Sequence, residues 1–576
     1  MARIASHITH ESARKMGGIG AVLNGLCSTH AYKVRFDSTL FYGPYFEFGA
    51  DWTVDFGKGG QVLFSSKHNF DSNDYSSIFG DIAKQYGIDI IYGKRTIASE
   101  FDVNKQNTVD VVNVAVNKMH PGPINRFKYR LWQKFAIRSE QLEKDWDYEQ
   151  YLRIAIPYIE IIEKLYGAQN EFYHFSHEYM GVPACLAVME AQRNHKTIFV
   201  AHEVSPARAI VENTPGADIS FYNILAEAFP AQSMENVFGS QQMNPRSELV
   251  KRAANFDRVF AVSDVVRDEY VFLCPQAQKD KVRVVYNGIS SRPVDQGHKK
   301  QSRTRIETYV DHLFNYTPDA IFTHMTRLVP SKALWRDIAF LYHMDHLFDK
   351  NDLKGVYILV SSLIATGRSG EDVARMEREY GWPVLHRSGW PDLTGSEEDV
   401  YRYIELFNSR SRAIKCVFIN QFGFDRTTCG SRVPPEMDIS DLRIGSDAEL
   451  GFSTYEPFGI AQVETIPFGG LALLSSACGC SFLLKKAFEA CPDKPYKIVD
   501  FVSAGAGMTI EQLKLLTIAH RDTFERQILA KDSADIFAML PLTDKLRERY
   551  LANAQEFAPL MSWENTVRDY FLPNLP

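Results

Sequence analysis

Two glutamates stand eight positions apart in the run Tyr455-Glu456-Pro457-Phe458-Gly459-Ile460, which continues to Glu464. A turn of this kind opening an amphipathic helix sets Glu456 just before the helix and Glu464 two turns into it. Both carboxylates then reach one polar ligand whose phosphates meet the helix end. By spacing alone a surface glutamate beside a cap-like turn is the stronger reading. Near the amino terminus, Lys15-Met16-Gly17-Gly18-Ile19-Gly20 follows a strand pattern and opens a helix pattern that runs to Leu26. Paired glycines let a backbone approach a phosphate, a helix amino terminus favours an anion, and Lys15 adds a charge. The same turn serves packing alone equally well.

Histidines supply the next candidates. His202 closes the strand pattern KTIFVAH, where polar strand-end residues of an α/β sheet face the ligand crevice. A satisfied core histidine is the competing reading. His174 fits a structural role, being poorly placed to share a strand face with His177. These three histidines lack a carboxylate motif of the zinc-protease kind, so no metal and no other cofactor is expected. Eight cysteines in 576 residues, at 27, 185, 274, 416, 429, 478, 480 and 491, lack the paired spacing of a zinc or disulfide framework and read as reduced, buried thiols. Arg521 and Arg526 in HRDTFERQ read as a solvated helix face.

The elements that must hold these groups alternate. Strand patterns FYHFS, KTIFVAH, RVFAV and VRVVY are separated by helical ones, the grammar of a doubly wound parallel sheet. Apolar periodicity stops in SRPVDQGHKKQSRTR, after VVYNGIS, which is therefore read as an interdomain linker. It restarts at AIFTHMT and runs through GVYILVSS, KCVFIN, ELGF and LALLSS, a second Rossmann-like domain. Segments 203–250 and 421–440 read as loops or insertions near strand ends. Lys and Arg total 64 against 71 Asp and Glu, a net charge of -7, so no global field recruits nucleic acid or an anionic membrane. No export signal or membrane span is read, and a cytoplasmic protein is expected.

The segment FSTYEPFGIAQVETIPFGGLALLSS resembles the signature of glycogen and starch synthases, in which a Glu-Pro-x-Gly turn leads to a second glutamate and an apolar strand. KMGGIGAVLNGL resembles the Lys-x-Gly-Gly loop of the same enzymes. His174-Phe175-Ser176-His177-Glu178-Tyr179 is similar to their His-x-His-Asp-Trp segment, with Glu178 and Tyr179 departing from it. Arg327-Leu328-Val329-Pro330-Ser331-Lys332 keeps their spacing of arginine and lysine. Ser562-Trp563-Glu564, with Val567 and Tyr570, resembles their last helix. Residues 30–150 and 333–415 match only loosely. Arg208, six residues after His202, together with Phe221-Tyr222-Asn223, is similar to the eukaryotic glycogen synthase branch, whereas GIAQVET lies between branches, so uridine and adenosine donors both stay open.

The resemblance implies a retaining glucosyltransferase of the GT-B architecture: two Rossmann-like α/β domains, 1–296 on the acceptor side and 317–555 for the nucleotide-sugar, facing a deep cleft. Residues 556–576 would form a helix crossing back to the first domain. Arg327 and Lys332 would hold the diphosphate, assisted by Lys15, Gly17, Gly18 and the helix end after Gly459. Glu456 would hold a sugar hydroxyl, Glu464 the ribose and His177 the donor glucose near its 6-hydroxyl, with Glu11 close to the cleft. His202, Arg208, Asn287, Tyr455, Pro457, Phe458 and Ile460 complete the implied substrate-binding set. The partners implied are a nucleotide-glucose donor and an α-glucan or oligosaccharide acceptor. The alternatives are another transferase of this architecture, making sucrose phosphate, trehalose or a polysaccharide, and a non-catalytic glucan-binding homologue.

Overall fold

The computed structural model describes residues 1–576 except Lys58, Glu100, Phe101, Gln278 and Lys279, with the backbone alone for 102–105. The chain forms two compact units. One holds Met1–Ala207, Ala228–Ser290 and Ser562–Pro576; the other holds Arg208–Glu227 and Ser291–Met561. The chain passes between the units after Ala207, Glu227, Ser290 and Met561.

The first unit is built on a sheet of ten strands: β1 (Arg3–Ile8), β2 (Ser38–Pro44), β3 (Gly60–Ser65), β4 (Phe70–Asp71), β5 (Asp89–Ser99), β6 (Asp102–Ala115), β7 (Glu171–His177), β8 (Lys196–Ala201), β9 (Arg258–Ala261) and β10 (Val282–Val284). Their order is β10-β9-β8-β7-β1-β2-β6-β5-β3-β4. Pairing is parallel from β10 to β6, and β5, β3 and β4 add an antiparallel edge.

The second unit carries six parallel strands: β11 (Ala320–Met325), β12 (Gly355–Val360), β13 (Ile414–Ile419), β14 (Ala448–Gly451), β15 (Leu471–Ser475) and β16 (Tyr496–Val499), in the order β13-β12-β11-β14-β15-β16. Every residue of GVYILV in β12 and LALLS in β15 is buried, as a parallel sheet covered on both faces requires. Alternate side chains feed two cores. Tyr357 and Leu359 join Phe340, Leu341 and Phe348 on one face, while Val356 and Ile358 join Ile306, Tyr309 and Val310 on the other.

Two stretches differ from the sequence reading. Most of SRPVDQGHKKQSRTR belongs to a helix, Gln296–Phe314, capped by the Asp295 carboxylate, which accepts the His298 N–H at 2.7 Å. Its inward face does recur at helical spacing, but Lys299, Ser302 and Arg303 occupy the early positions. Lys299 Nζ donates to the carbonyls of Ile444 and Phe468 at 3.0 and 2.6 Å, and Arg303 pairs with Asp447 at 2.6 Å. A buried face that is polar hides the periodicity. Segment 203–250 likewise folds as helices Ser205–Asn213, Ala217–Ala228, Met234–Phe238 and Pro245–Arg252, not as a loop.

The tail 562–576 completes the first unit. It is a short α-turn, Trp563–Thr566, running into a π-helical turn, Val567–Phe571, rather than one regular helix. The Glu564 carboxylate accepts the N–H groups of His30 and Ala31 at 2.8 and 2.9 Å, where the helix His30–Arg35 begins. Phe571 packs on Phe175 and Phe260, with ring centroids 5.4 and 5.7 Å away. Trp563 lies against Gly25 and Gly288, and a Cβ on Gly25 would fall 2.1 Å from its indole Nε1.

Gly25→Ala should therefore reverse the usual sign of that change. In an ordinary helix interior it stabilises by about 1 kcal/mol, whereas here overpacking against Trp563 should cost a net ~1–3 kcal/mol. Urea unfolding measures it. Stability equal to or above that of the parent would mean the indole does not press on this helix.

Candidate active site

A sheet wound outward in both directions from its first strand leaves a crevice at the carboxyl ends of the strands where the winding reverses. In the second unit that reversal lies between β11 and β14, and in the first between β1 and β7. Arg327, Lys332 and Glu456 follow β11 and β14, and Glu11, Lys15 and His177 follow or end β1 and β7, whereas His202 follows β8, Asn287 follows β10 and Arg208 lies on the helix Ser205–Asn213.

In the second unit, β11 runs into Thr326, Arg327 and a 3₁₀ turn, Pro330–Lys332, while β14 runs into Phe452 and the Tyr455–Ile460 segment. The Ser331 carbonyl ties the two ends together by accepting the Thr454 N–H at 2.8 Å. Lys332 and Glu456, both buried, form an ion pair across the reversal. Glu456 Oε2 also accepts from Gln462 Nε2 at 2.9 Å. Gly459 has φ +94°, and a Cβ there would meet Gln462 Oε1 at 2.8 Å and Glu456 Cγ at 2.9 Å, so only glycine lets this turn fold over the pair. The Glu456 and Phe458 carbonyls accept the N–H groups of Gly479 and Cys480 at 2.9 and 2.8 Å. Arg327 is exposed at the mouth, while Pro457, Phe458 and Gly459 are buried and Ile460 is half-buried.

Glu464 does not ride on an α-helix. After Gly459 the chain makes two 3₁₀ turns, Ala461–Val463 and Ile466–Phe468, rather than opening an α-helix of its own. The Glu464 carboxylate meets Arg443 Nη2 at 2.8 Å, and the same guanidinium pairs with Glu449 at 3.2 Å and donates to the Ala461 carbonyl at 3.0 Å. Arg443 thus orients Glu464 beside the Glu456 turn.

Arg208, expected on the acceptor side, belongs to the second unit. Its guanidinium sits 5.7 Å from the Tyr455 ring centroid, within cation–π range. Its segment is held by Asp218, which pairs with the fully buried Arg336 at 2.7 Å; Arg336 also pairs with Glu525 at 2.7 Å and donates to the Phe452 carbonyl at 3.1 Å. Burial pushes the Asp218 carboxyl upward despite that partner. Arg521, read as solvated, instead lies 4.4 Å over the Trp335 ring. Burial pushes the Cys478 thiol up to about 12, so it stays protonated and unreactive at neutral pH.

In the first unit, the glycine turn is already occupied. Glu11, buried beneath it, accepts the N–H groups of Met16 and Gly17 at 2.6 Å each, and a Cβ on Gly20 would fall 2.5 Å from its Oε2. The carboxylate fills part of the place assigned to a phosphate and shapes the turn from below, leaving Lys15, Gly17 and Gly18 exposed above it. Asn287 is not open to a ligand: it is buried and lines a cavity of about 30 Å³ with His7, His177, Trp563 and Phe571, large enough for one water.

His177 is fully buried and both its ring nitrogens are used, Nε2 on His7 Nδ1 at 2.9 Å and Nδ1 on His202 Nε2 at 2.8 Å. It therefore reaches no sugar in this arrangement; half-buried His202 is the member of the chain that meets solvent. Burial pushes His7 and His202 down to about 3 and His177 well below its ordinary value. His174 is structural, its ring held by the Tyr158 hydroxyl at 2.6 Å and His195 at 3.1 Å. Sequence spacing alone does not expose His7 or Arg336, whose partners His177, Asp218 and Glu525 lie more than a hundred positions away; Tyr32, Gln462 and Arg443 have nearer partners but belong to no motif that singles them out.

Among the described residues, no helix is long and apolar enough to cross a membrane, and no group of three His, Cys, Asp or Glu side chains is placed to hold a metal ion. No family model and no curated protein matches the chain. Among solved structures it is similar to one described as trehalose-6-phosphate from E. coli bound with UDP-2-fluoro glucose, at 12% identity over 100% of this chain and 99% of that one, TM-score 0.48. It is similar to an α,α-trehalose-phosphate synthase (UDP-forming) from Burkholderia vietnamiensis at 13% identity, covering 99% and 98% of the two chains, TM-score 0.48. The catalytic domain of starch synthase IV from Arabidopsis thaliana, bound to ADP and acarbose, is similar at 13% identity, with 96% and 99% covered and a TM-score of 0.47.

Histidines held neutral by burial bind protons only on unfolding, so the first unit loses stability as pH falls below the unfolded-state value, about 6.5. Each of His7, His177 and His202 should contribute about 1.4 kcal/mol per pH unit from there downward. An acid titration followed by circular dichroism should show this unit unfolding well above pH ~4; a first unit that stays folded through that value would contradict the buried neutral chain.

Proposed function

We propose that this protein is a retaining glycosyltransferase that moves glucose from a nucleotide-glucose to the non-reducing end of an α-1,4-glucan. The observation that carries the proposal is the Lys332–Glu456 pair across the β11/β14 reversal, with Arg327 exposed at its mouth. A cation and a carboxylate locked together at a ligand crevice suit a substrate with an anionic leaving group bonded to a polyhydroxyl ring. The resemblance of residues 452–476 to glycogen and starch synthases supports the choice of donor and acceptor. We propose that it acts in the cytoplasm, a setting in which its free, buried cysteines stay reduced.

As the bond to the anomeric carbon breaks, negative charge grows on the diphosphate. Lys332 Nζ and the Arg327 guanidinium stabilise it most when it has fully formed, which lowers the barrier rather than merely tightening binding. Glu456 holds Lys332 in place through Oε2; Oε1 takes neither Lys332 nor Gln462 and accepts a sugar hydroxyl. Arg443 turns Glu464 toward the ribose in the same way. Lys332 and Arg327 supply the positive charge that a divalent ion provides in other designs, so this chemistry needs no metal.

Lys332→Ala should lower turnover about 10²–10³-fold, the effect of removing one preorganised charge partner, with the fold kept as judged by circular dichroism. Nucleotide release measured with UDP-glucose and ADP-glucose against maltooligosaccharides, glucose and glucose 6-phosphate tests the whole reading. Release with maltooligosaccharides alone is expected. Release only with a sugar phosphate would transfer the chain to a different acceptor class, and binding without release would make it a non-catalytic homologue. Excess chelator should leave the rate unchanged, and its loss under chelator would remove the metal-free mechanism.

A further inference from the structure

Behind His202 a line of buried rings crosses the first unit. The Thr39 hydroxyl donates to the Tyr32 hydroxyl at 3.2 Å; that hydroxyl lies 2.8 Å from His7 Nε2, His7 Nδ1 lies 2.9 Å from His177 Nε2, and His177 Nδ1 lies 2.8 Å from His202 Nε2. Tyr32, His7 and His177 are inaccessible to solvent, and only His202 is partly exposed, at the carboxyl end of β8.

A neutral imidazole has one N–H and one lone pair. In a chain where both nitrogens of each inner ring are occupied, the proton position on one ring dictates the next. All three rings must therefore point the same way, and the end group sets the direction. Tyr32 accepts from Thr39, so its own proton is available to His7 Nε2. Burial pushes the phenol upward and keeps that proton in place. Cys27 Sγ, 3.7 Å from the same nitrogen, is likewise a protonated group, its thiol pushed up to about 12. Tyr32 and Cys27 both carry a proton that can reach His7 Nε2, and Thr39 already engages the Tyr32 oxygen as an acceptor, the arrangement in which that nitrogen accepts.

We propose that Tyr32, acting through His7 and His177, fixes the proton of His202 on Nδ1, so that His202 presents a hydrogen-bond donor to a substrate oxygen at the end of β8. Tyr32 and His7 are positioning residues; His202 makes the contact. The identity of the substrate rests on the glycosyl-transfer reading, but the direction of the chain does not. The opposite direction would leave His202 Nδ1 a lone pair, suited to accept from a hydroxyl and unable to donate to a phosphate or sugar oxygen.

Two-bond ¹H–¹⁵N spectra of the full-length protein distinguish Nδ1–H from Nε2–H histidine, with His202→Gln and His177→Gln used to assign the signals. The parent should show both rings as Nδ1–H; Nε2–H in the parent overturns the proposal outright, with no variant needed. Tyr32→Phe combined with Cys27→Ala removes both donors and should give mixed tautomers at His177 and His202, with kcat/KM for nucleotide release about tenfold lower, the size of one hydrogen bond. Lower activity with unchanged tautomers would overturn it, since Tyr32 would then serve packing alone. A parent that releases nucleotide from no nucleotide-glucose would defeat the transfer reading while the spectra still decided the direction of the chain.

Discussion

The constraint on which the rest depends is that parallel strands can be joined only by crossovers, and a sheet wound both ways from its first strand must reverse somewhere. At the reversal the crossovers on either side diverge, and the carboxyl ends of two neighbouring strands are left without a connection above them. Both units obey this. Arg327 and Lys332 follow β11, Ser453 to Ile460 follow β14, Glu11 and Lys15 follow β1, and His177 ends β7. The candidate site residues named here lie where backbone topology leaves room for a ligand.

Room alone gives no precision, and the buried charges supply it. Arg336 has no access to solvent, and its two carboxylates repay its desolvation only because the geometry satisfies them all at once. The same guanidinium holds the Phe452 carbonyl and the Asp218 segment, so the start of the Tyr455–Ile460 turn and the docking of Arg208 near Tyr455 share one anchor. Arg443 plays the matching part at the other end, joining Glu449 on β14 to Glu464 beyond the turn. Between the two arginines, Glu456 and Lys332 have few alternative positions.

The parts of this arrangement legible in the sequence are those written locally. Continuous apolar runs such as GVYILV announce buried parallel strands, and the Glu-Pro-x-Gly turn carries its own glycine requirement at Gly459. What was illegible depends on partners far apart in the chain. Lys299 and Arg303 look like part of a polar linker because the groups that satisfy them, among them Asp447 and the Ile444 carbonyl, lie more than a hundred positions away. Asp218 looks like an insertion residue until Arg336 is beside it. Glu11, expected close to the cleft, instead has its carboxylate under the glycine turn, where it accepts the N–H groups of Met16 and Gly17. His177 closes β7, and the neighbouring strands bring a histidine to each side of it.

That last placement shows how a strand-end residue can be recruited inward. In parallel pairing His7 lies beside Phe175 and His177 beside Val200, so the three histidines on β1, β7 and just after β8 step across adjacent strand ends. Rings at this spacing either repel as cations or hydrogen-bond as neutral molecules, and burial selects the second. A second line, Tyr158–His174–His195, is built from the same residue types, but there the phenol donates to Ser6 at 2.7 Å and must accept from His174. The two lines therefore run in opposite senses although each joins a tyrosine to histidines. What decides the sense is the hydroxyl beyond the tyrosine, a donor in Thr39 and an acceptor in Ser6, so a single buried hydroxyl sets the hydrogen-bonding character of a ring several residues away.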